Sequence, residues 1–166
     1  MSTDWEAVYR STYSDLVRFL HRKVWDADRA QDLAQESFVR VLGRSPEDPR
    51  AFLFTVAANL ARDEARAAMR RKQHLELIKV EGEQAAAEDP SESLEVREQD
   101  LAVRRALESL SERDRDALLL WDAGFSYPEI ARQTGLAEGA VGTTLARARR
   151  RLVEAYEATE ARDVAH

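Results

Sequence analysis

The stretch from Ser126 to Leu152 constrains the fold more than any other part of the chain. It reads as a short capped helix, a glycine turn and a second helix rich in arginine. Ser126 followed three residues later by Glu129 is a capping-box pattern, in which side chains satisfy free amides at the helix start. Pro128 lies in the first turn, where its missing N–H costs nothing. Gly135 can take the positive φ of a sharp helix exit, and Leu136 can plug the space between the two helices. In the second helix Val141, Leu145, Ala148 and Leu152 fall at i, i+4, i+7, i+11, one apolar stripe. Thr143, Thr144, Arg147, Arg150 and Arg151 are expected to project from the other sides. No acid stands between Glu138 and Glu154, so the positive charge there is unopposed. The pattern suits a helix-turn-helix whose second helix enters a DNA major groove. A basic run without that turn grammar would suit a solvated helix equally well.

The rest of the chain supports an all-α protein. Of its 166 residues only six are Gly and four Pro, alternating β-branched runs are few, and Ala, Leu, Arg and Glu are frequent. The absence of cysteine excludes disulfides, thiolate metal sites and thiol chemistry. No apolar stretch approaches a membrane span and no signal-peptide pattern opens the sequence, so a cytoplasmic protein without membrane insertion is expected. A net charge of −6 argues against DNA binding only until it is located. Residues 76–100 hold nine acids against two bases, while the basic clusters sit on particular helices. Local patches, not overall charge, decide nucleic-acid affinity.

Periodicity predicts the organisation. A helix starts at a Thr3/Glu6 capping box and runs to about Val24, with Trp5, Val8, Tyr9, Thr12, Leu16, Phe19 and Leu20 on its apolar face. Asp26 caps a second helix, about 27–42, with Ala30, Leu33, Ala34, Phe38, Val41 and Leu42 inward, and Gly43 ends it. Asp48-Pro49 opens a third, about 49–72, apolar early and basic late. Two small helical domains follow from this, 1–72 and 92–158, joined by an acidic flexible linker at 73–91 and trailed by a tail at 159–166. The second domain starts with a helix at about 91–109 and continues with one that Ser111 caps and Gly124 closes, before the helix-turn-helix. Each domain is near the lower size limit for a self-sufficient core.

Two further constellations carry chemistry. Asp32, Gln35 and Glu36 fall at i, i+3, i+4 and share one polar helix face, which can dock on a basic protein surface or stay solvated. Asn59, Arg62, Asp63, Arg66 and Arg70 form one continuous stripe. Asn can pair with a base edge and Arg can bind phosphate or stack, so the stripe, with the loop 44–48, could hold bases of a melted strand. It also suits a salt-bridged surface helix, with Arg62/Glu64 and Arg66/Asp63 as local pairs.

Taken together and in order, these pieces resemble the small two-domain sigma factors of bacterial RNA polymerase, the extracytoplasmic-function (ECF) group. Asp32-Leu33-Ala34-Gln35-Glu36-Ser37-Phe38 resembles the family's D-L-x-Q-E-x-F signature. Pro49 through Asn59 resembles its next block. Leu107, Leu110 and Leu118 to Ala131 resemble the start of its fourth region, and Arg147-Ala148-Arg149 its closing R-A-R. The resemblance runs from about residue 5 to 155. It implies that Asp32, Gln35, Glu36 and Arg40 dock on the polymerase core. It also implies that Asn59, Arg62, Asp63, Arg66, Arg70 and Arg71 face the −10 element. The second helix of the C-terminal unit would read the −35 element. The partners implied are core polymerase, through its β′ clamp helices and β flap, promoter DNA, and an anti-sigma factor of the kind that often masks family members. No cofactor, no metal and no active site are implied.

The chain departs from that pattern in places. Phe52 stands where Trp is common, Ala137 where a Ser or Thr cap is usual, and Gly142 and Thr144 where basic residues are frequent. Gly inside a helix costs about 1 kcal/mol relative to Ala, and a missing cap about as much. A weakened −35 contact, shifted onto Thr143, Thr144, Arg147 and Arg150, is expected. A stand-alone helix-turn-helix regulator would share the C-terminal signal but leave Asp32–Phe38 and Asn59–Arg71 unexplained. An enzyme is disfavoured, because three scattered histidines (His21, His74, His166), no cysteine and no glycine-rich phosphate loop leave little chemistry.

Overall fold

The computed structural model describes residues 2–78 and 94–164. Every regular element among them is helical: α1 (Trp5–Val24), α2 (Ala27–Val41), α3 (Pro49–Ile78), α4 (Leu94–Glu108), α5 (Glu112–Asp122), α6 (Tyr127–Thr134) and α7 (Val141–Val164), with a 3-10 turn at Glu138–Ala140. Packing divides them into two compact units, Met1–Pro90 and Ser91–His166. Most of the expected linker, residues 79–91, lies outside the described residues; of the expected tail 159–166, residues 159–164 instead belong to the end of α7, and 165–166 lie outside the described residues.

In the first unit α1 packs on α2 and α3, and α2 packs on α3. Leu16 and Leu20 of α1, Leu33, Ala34 and Val41 of α2, and Leu53, Phe54 and Ala57 of α3 form its buried centre. Phe19 meets Phe54 edge-on with ring centroids 5.1 Å apart, the geometry that aromatic quadrupoles favour. Four expectations need correction here. The cap of α1 is Asp4, whose carboxylate accepts from the Ala7 amide at 3.1 Å, rather than Thr3; its charge also suits the helix N-terminus better than a hydroxyl. Tyr9 is partly exposed at the edge of the core, stacked on Tyr13 and tilted against Phe38. Leu42 is 60 % exposed, because α2 ends at Val41 and the chain turns away at Gly43 with φ 81°. Finally, α3 runs on to Ile78, where loss of a buried stripe after residue 72 had suggested a linker. Residues 72–78 contain neither Gly nor Pro and are rich in helix formers, so backbone propensity sustains the helix without burial.

In the second unit α7 packs on α4 and α5, and α6 bridges α5 and α7. Leu107, Leu110, Leu120, Phe125, Ile130, Val141, Leu145 and Ala148 are buried there. Ser111 caps α5 by accepting from the Asp114 amide at 3.2 Å.

Candidate nucleic-acid interface

The turn between α6 and α7 is built as its sequence dictates. Ser126 Oγ accepts from the Glu129 amide at 3.4 Å while the Glu129 carboxylate accepts from the Ser126 amide at 3.1 Å, a complete capping box. Gly135 ends α6 at φ 76°. Ala137 precedes the 3-10 turn with no side-chain cap, as its methyl group requires. From there α7 turns Val141, Leu145 and Ala148 inward, and Thr143, Arg147, Arg149, Arg150 and Arg151 are exposed.

Thr144 does not join them. It is 4 % exposed, which removes it from the surface set assigned from sequence. The reason is helical spacing: three residues beyond Val141, it falls on the same face as Leu145 and Ala148. Counting the i+3 position into the apolar stripe would have placed it correctly.

Arg147 is exposed on one side only. Its Nη2 donates to Asp114 Oδ1 of α5 at 3.1 Å. Gly142 has a different surrounding from the one its sequence suggested. A Cβ there would stand 3.3 Å from Cε2 of Tyr127, so the ring of α6's first residue fills the space a side chain would use.

On the first unit, Asp32, Gln35, Glu36 and Arg40 are exposed along α2, behind the buried pair Leu33 and Ala34. Asp32 pairs with Arg29 at 3.5 Å, Arg40 with Glu36 at 3.0 Å, and Gln35 donates to the Tyr9 hydroxyl at 3.2 Å. On α3, Asn59, Arg62, Asp63, Arg66 and Arg70 are all exposed on the predicted stripe, with Arg71 beside it. Two links that sequence reading missed hold these faces in register. Arg29 grips Glu64 with a fork, Nε to Oε1 at 3.1 Å and Nη2 to Oε2 at 2.8 Å, tying the start of α2 to the basic part of α3. Arg71 stands 3.5 Å from the same carboxylate. This pairing holds the Glu64 carboxyl below its ordinary range, chiefly through the Arg29 hydrogen bond, and it raises the Arg29 pKa. The second link is the Trp5 indole N–H, which donates to the Arg44 carbonyl at 3.0 Å and fastens the loop before α3 to the start of α1. Both partners lie more than thirty residues apart in the chain, beyond the reach of local pattern.

The described residues are helical and form two small units, one with a basic helix-turn-helix and one with a polar, arginine-striped helix pair, the pattern of a DNA-binding protein. The comparisons carry this to a family. Residues 8–71 match Sigma-70 region 2 and residues 100–152 match Sigma-70, region 4. The ferric citrate uptake sigma factor FecI of Escherichia coli is 32 % identical over 156 residues, covering 89 % of this chain and 87 % of that protein. The RNA polymerase sigma factor YlaC of Bacillus subtilis is 30 % identical, covering 87 % of each chain. Among solved structures, the sigma factor RpoE in complex with the anti-sigma factor NepR from Bartonella quintana aligns with a TM-score of 0.60 at 25 % identity, covering 93 % of this chain and 97 % of that one. The chain belongs to the sigma-70 family of RNA polymerase sigma factors, in its ECF group. It is a promoter-specific transcription initiation factor, and a match across both units leaves the stand-alone regulator without support. Among the described residues no helix is long and apolar enough to cross a membrane.

Proposed function

We propose the following division of roles within this sigma factor. The exposed face of α2, Asp32, Gln35, Glu36 and Arg40, docks on the β′ clamp helices of core polymerase. The α3 stripe of Asn59, Arg62, Asp63, Arg66, Arg70 and Arg71, with the loop 44–48, faces the −10 element and holds its opened strand. The exposed face of α7 reads the −35 element through Thr143, Arg150 and Arg151, with Arg147 as a fixed phosphate contact and Thr144 excluded by burial. The unit within residues 1–72 carries the first two tasks and the unit within 92–158 the third, with contact to the β flap. The acidic stretch between them runs through the polymerase cleft toward the RNA exit channel, where repulsion from nucleic acid suits a removable segment.

The observation that carries this reading is the opposition of faces on α7. Its inner stripe is buried while its outer face offers Thr143 and four arginines with no acid between Glu138 and Glu154. Such a helix neutralises phosphates from a fixed position, and its first turn reaches base edges. The chain performs no chemistry itself and works in the cytoplasm beside the polymerase. An anti-sigma partner covers its polymerase-binding faces, a reading supported by the likeness to RpoE bound to NepR.

The test is transcription in vitro with purified core polymerase of the source organism and a genomic promoter library. Start-site selection that depends on added protein supports the reading. Absence of any selection by the inhibitor-free chain overturns it.

A further inference from the structure

The pairing of Gly142 with Tyr127 points to a base-reading residue outside the second helix. Gly142 is the second residue of α7, at the end that a helix-turn-helix presents to base edges. It has no side chain to offer. The space is nevertheless filled: a Cβ at Gly142 would lie 3.3 Å from Tyr127 Cε2, 3.8 Å from the Tyr127 hydroxyl and 3.9 Å from Cζ. The phenol therefore lies along the direction in which a residue 142 side chain would leave the helix. Tyr127 is not sunk in the core; it is 41 % exposed, and its ring leans on Trp121, 42 % exposed, with centroids 5.4 Å apart at 54°. Its hydroxyl has no hydrogen-bond partner among the described residues, and a phenol O–H both donates and accepts.

We propose that Tyr127 is a specificity-determining residue for the −35 element, its hydroxyl delivered across Gly142 to a base edge in place of a side chain from α7. This rests on the reading of α7 as the −35 helix. Gly142 is then a permissive partner: it leaves room for the ring. An alanine there requires the ring to give by a few tenths of an ångström, because a contact of 3.3 Å is already tight for a Cβ.

The experiment selects duplexes from a pool randomised across the −35 region, using the full chain bound to core polymerase. The selected duplex and a scrambled one then serve as probes for Tyr127→Phe, Gly142→Ala and the double variant. Tyr127→Phe keeps the ring, so the fold persists, as circular dichroism checks. It is expected to weaken binding to the selected duplex about 3- to 10-fold, the worth of one hydrogen bond, to leave the scrambled duplex unaffected, and to relax preference at one or two adjacent base pairs. Gly142→Ala is expected to relax the same base pairs, and the double variant to add little to either single change. Equal binding by Tyr127→Phe and the parent, an equal loss on both probes, or relaxation at different base pairs for the two single variants overturns the assignment of Tyr127. Failure of the parent holoenzyme to select any −35 sequence is a separate result: it overturns the role of α7 and the proposal with it.

Discussion

Arg147 of α7 donates to Asp114 of α5 at 3.1 Å, and the Asp114 side chain is only 5 % exposed. The first arginine of the R-A-R run is therefore a strut between two helices as well as a surface cation. Removing it leaves a buried carboxylate without its cation. Arg147→Ala is expected to destabilise the C-terminal unit by about 1–3 kcal/mol, less than a fully buried pair because the arginine is half exposed. Amide hydrogen exchange in α5 and α7 measures this. The same change should weaken DNA binding evenly across sequences, as loss of a phosphate contact does; a loss confined to one base pair would make Arg147 a base contact instead.

The fork from Arg29 to Glu64 makes the first unit sensitive to acid. Its carboxyl is held low, first by the hydrogen bond from Arg29, against the opposing effect of burial, and then by the charges of Arg29 and Arg71. A carboxyl depressed on folding contributes stability above its unfolded pKa and loses it as pH falls through its folded value. The contribution, about 1 kcal/mol for a partly exposed forked pair, should therefore be complete at neutral pH and decline below the ordinary value of 4.5. Urea unfolding monitored on both sides of that value should show a smaller acid loss in Glu64→Gln than in the parent. Identical losses would mean that the fork contributes nothing.

Charge reversal on α2 separates docking from folding. Asp32 is 69 % exposed and makes only a 3.5 Å ion pair within its own helix, and Glu36 is likewise at the surface. Asp32→Arg with Glu36→Arg should leave the circular dichroism spectrum unchanged. Binding to core polymerase should fall at least about 10-fold, since like charges set face to face cost several kcal/mol. Undiminished capture of core polymerase by the double variant would remove α2 from the docking surface.

The Trp5 indole provides a test of the loop. Trp5→Phe keeps an aromatic ring but removes the indole N–H and part of the buried volume, so the lost hydrogen bond to the Arg44 carbonyl, about 0.5–1.5 kcal/mol, adds to a cavity cost at this buried site. Promoter opening, followed by permanganate reactivity of unpaired thymines, should fall while retention of −35 duplex stays constant. Wild-type opening by Trp5→Phe would show that the loop needs no such fastening.

Much of this was readable along the chain because the signals were local. Ser126, Glu129 and Gly135 specify their own backbone geometry, and Leu33 and Ala34 fix the outward face of Asp32, Gln35 and Glu36 through helical period alone. What escaped depended on distant partners or on a single position of the helical wheel. Thr144 is polar in type, yet its i+3 relation to Val141 decides its burial. Gly142 read as a defect because the residue that fills its place, Tyr127, comes fifteen positions earlier. Arg29–Glu64 and Trp5–Arg44 join different elements and leave no periodic trace.

The length of α3 has one further consequence. Its last buried residue is Ala61, and everything from Ala68 to Ile78 is exposed. At 1.5 Å per residue Arg70 rides roughly 14 Å past the final core contact. The arginines at that end are thus carried on a cantilever whose rigidity comes from backbone propensity. Promoter grip and thermal endurance can drift independently: a glycine at Ala68 would slacken the far end at a cost of about 1 kcal/mol while the bundle beneath stayed intact.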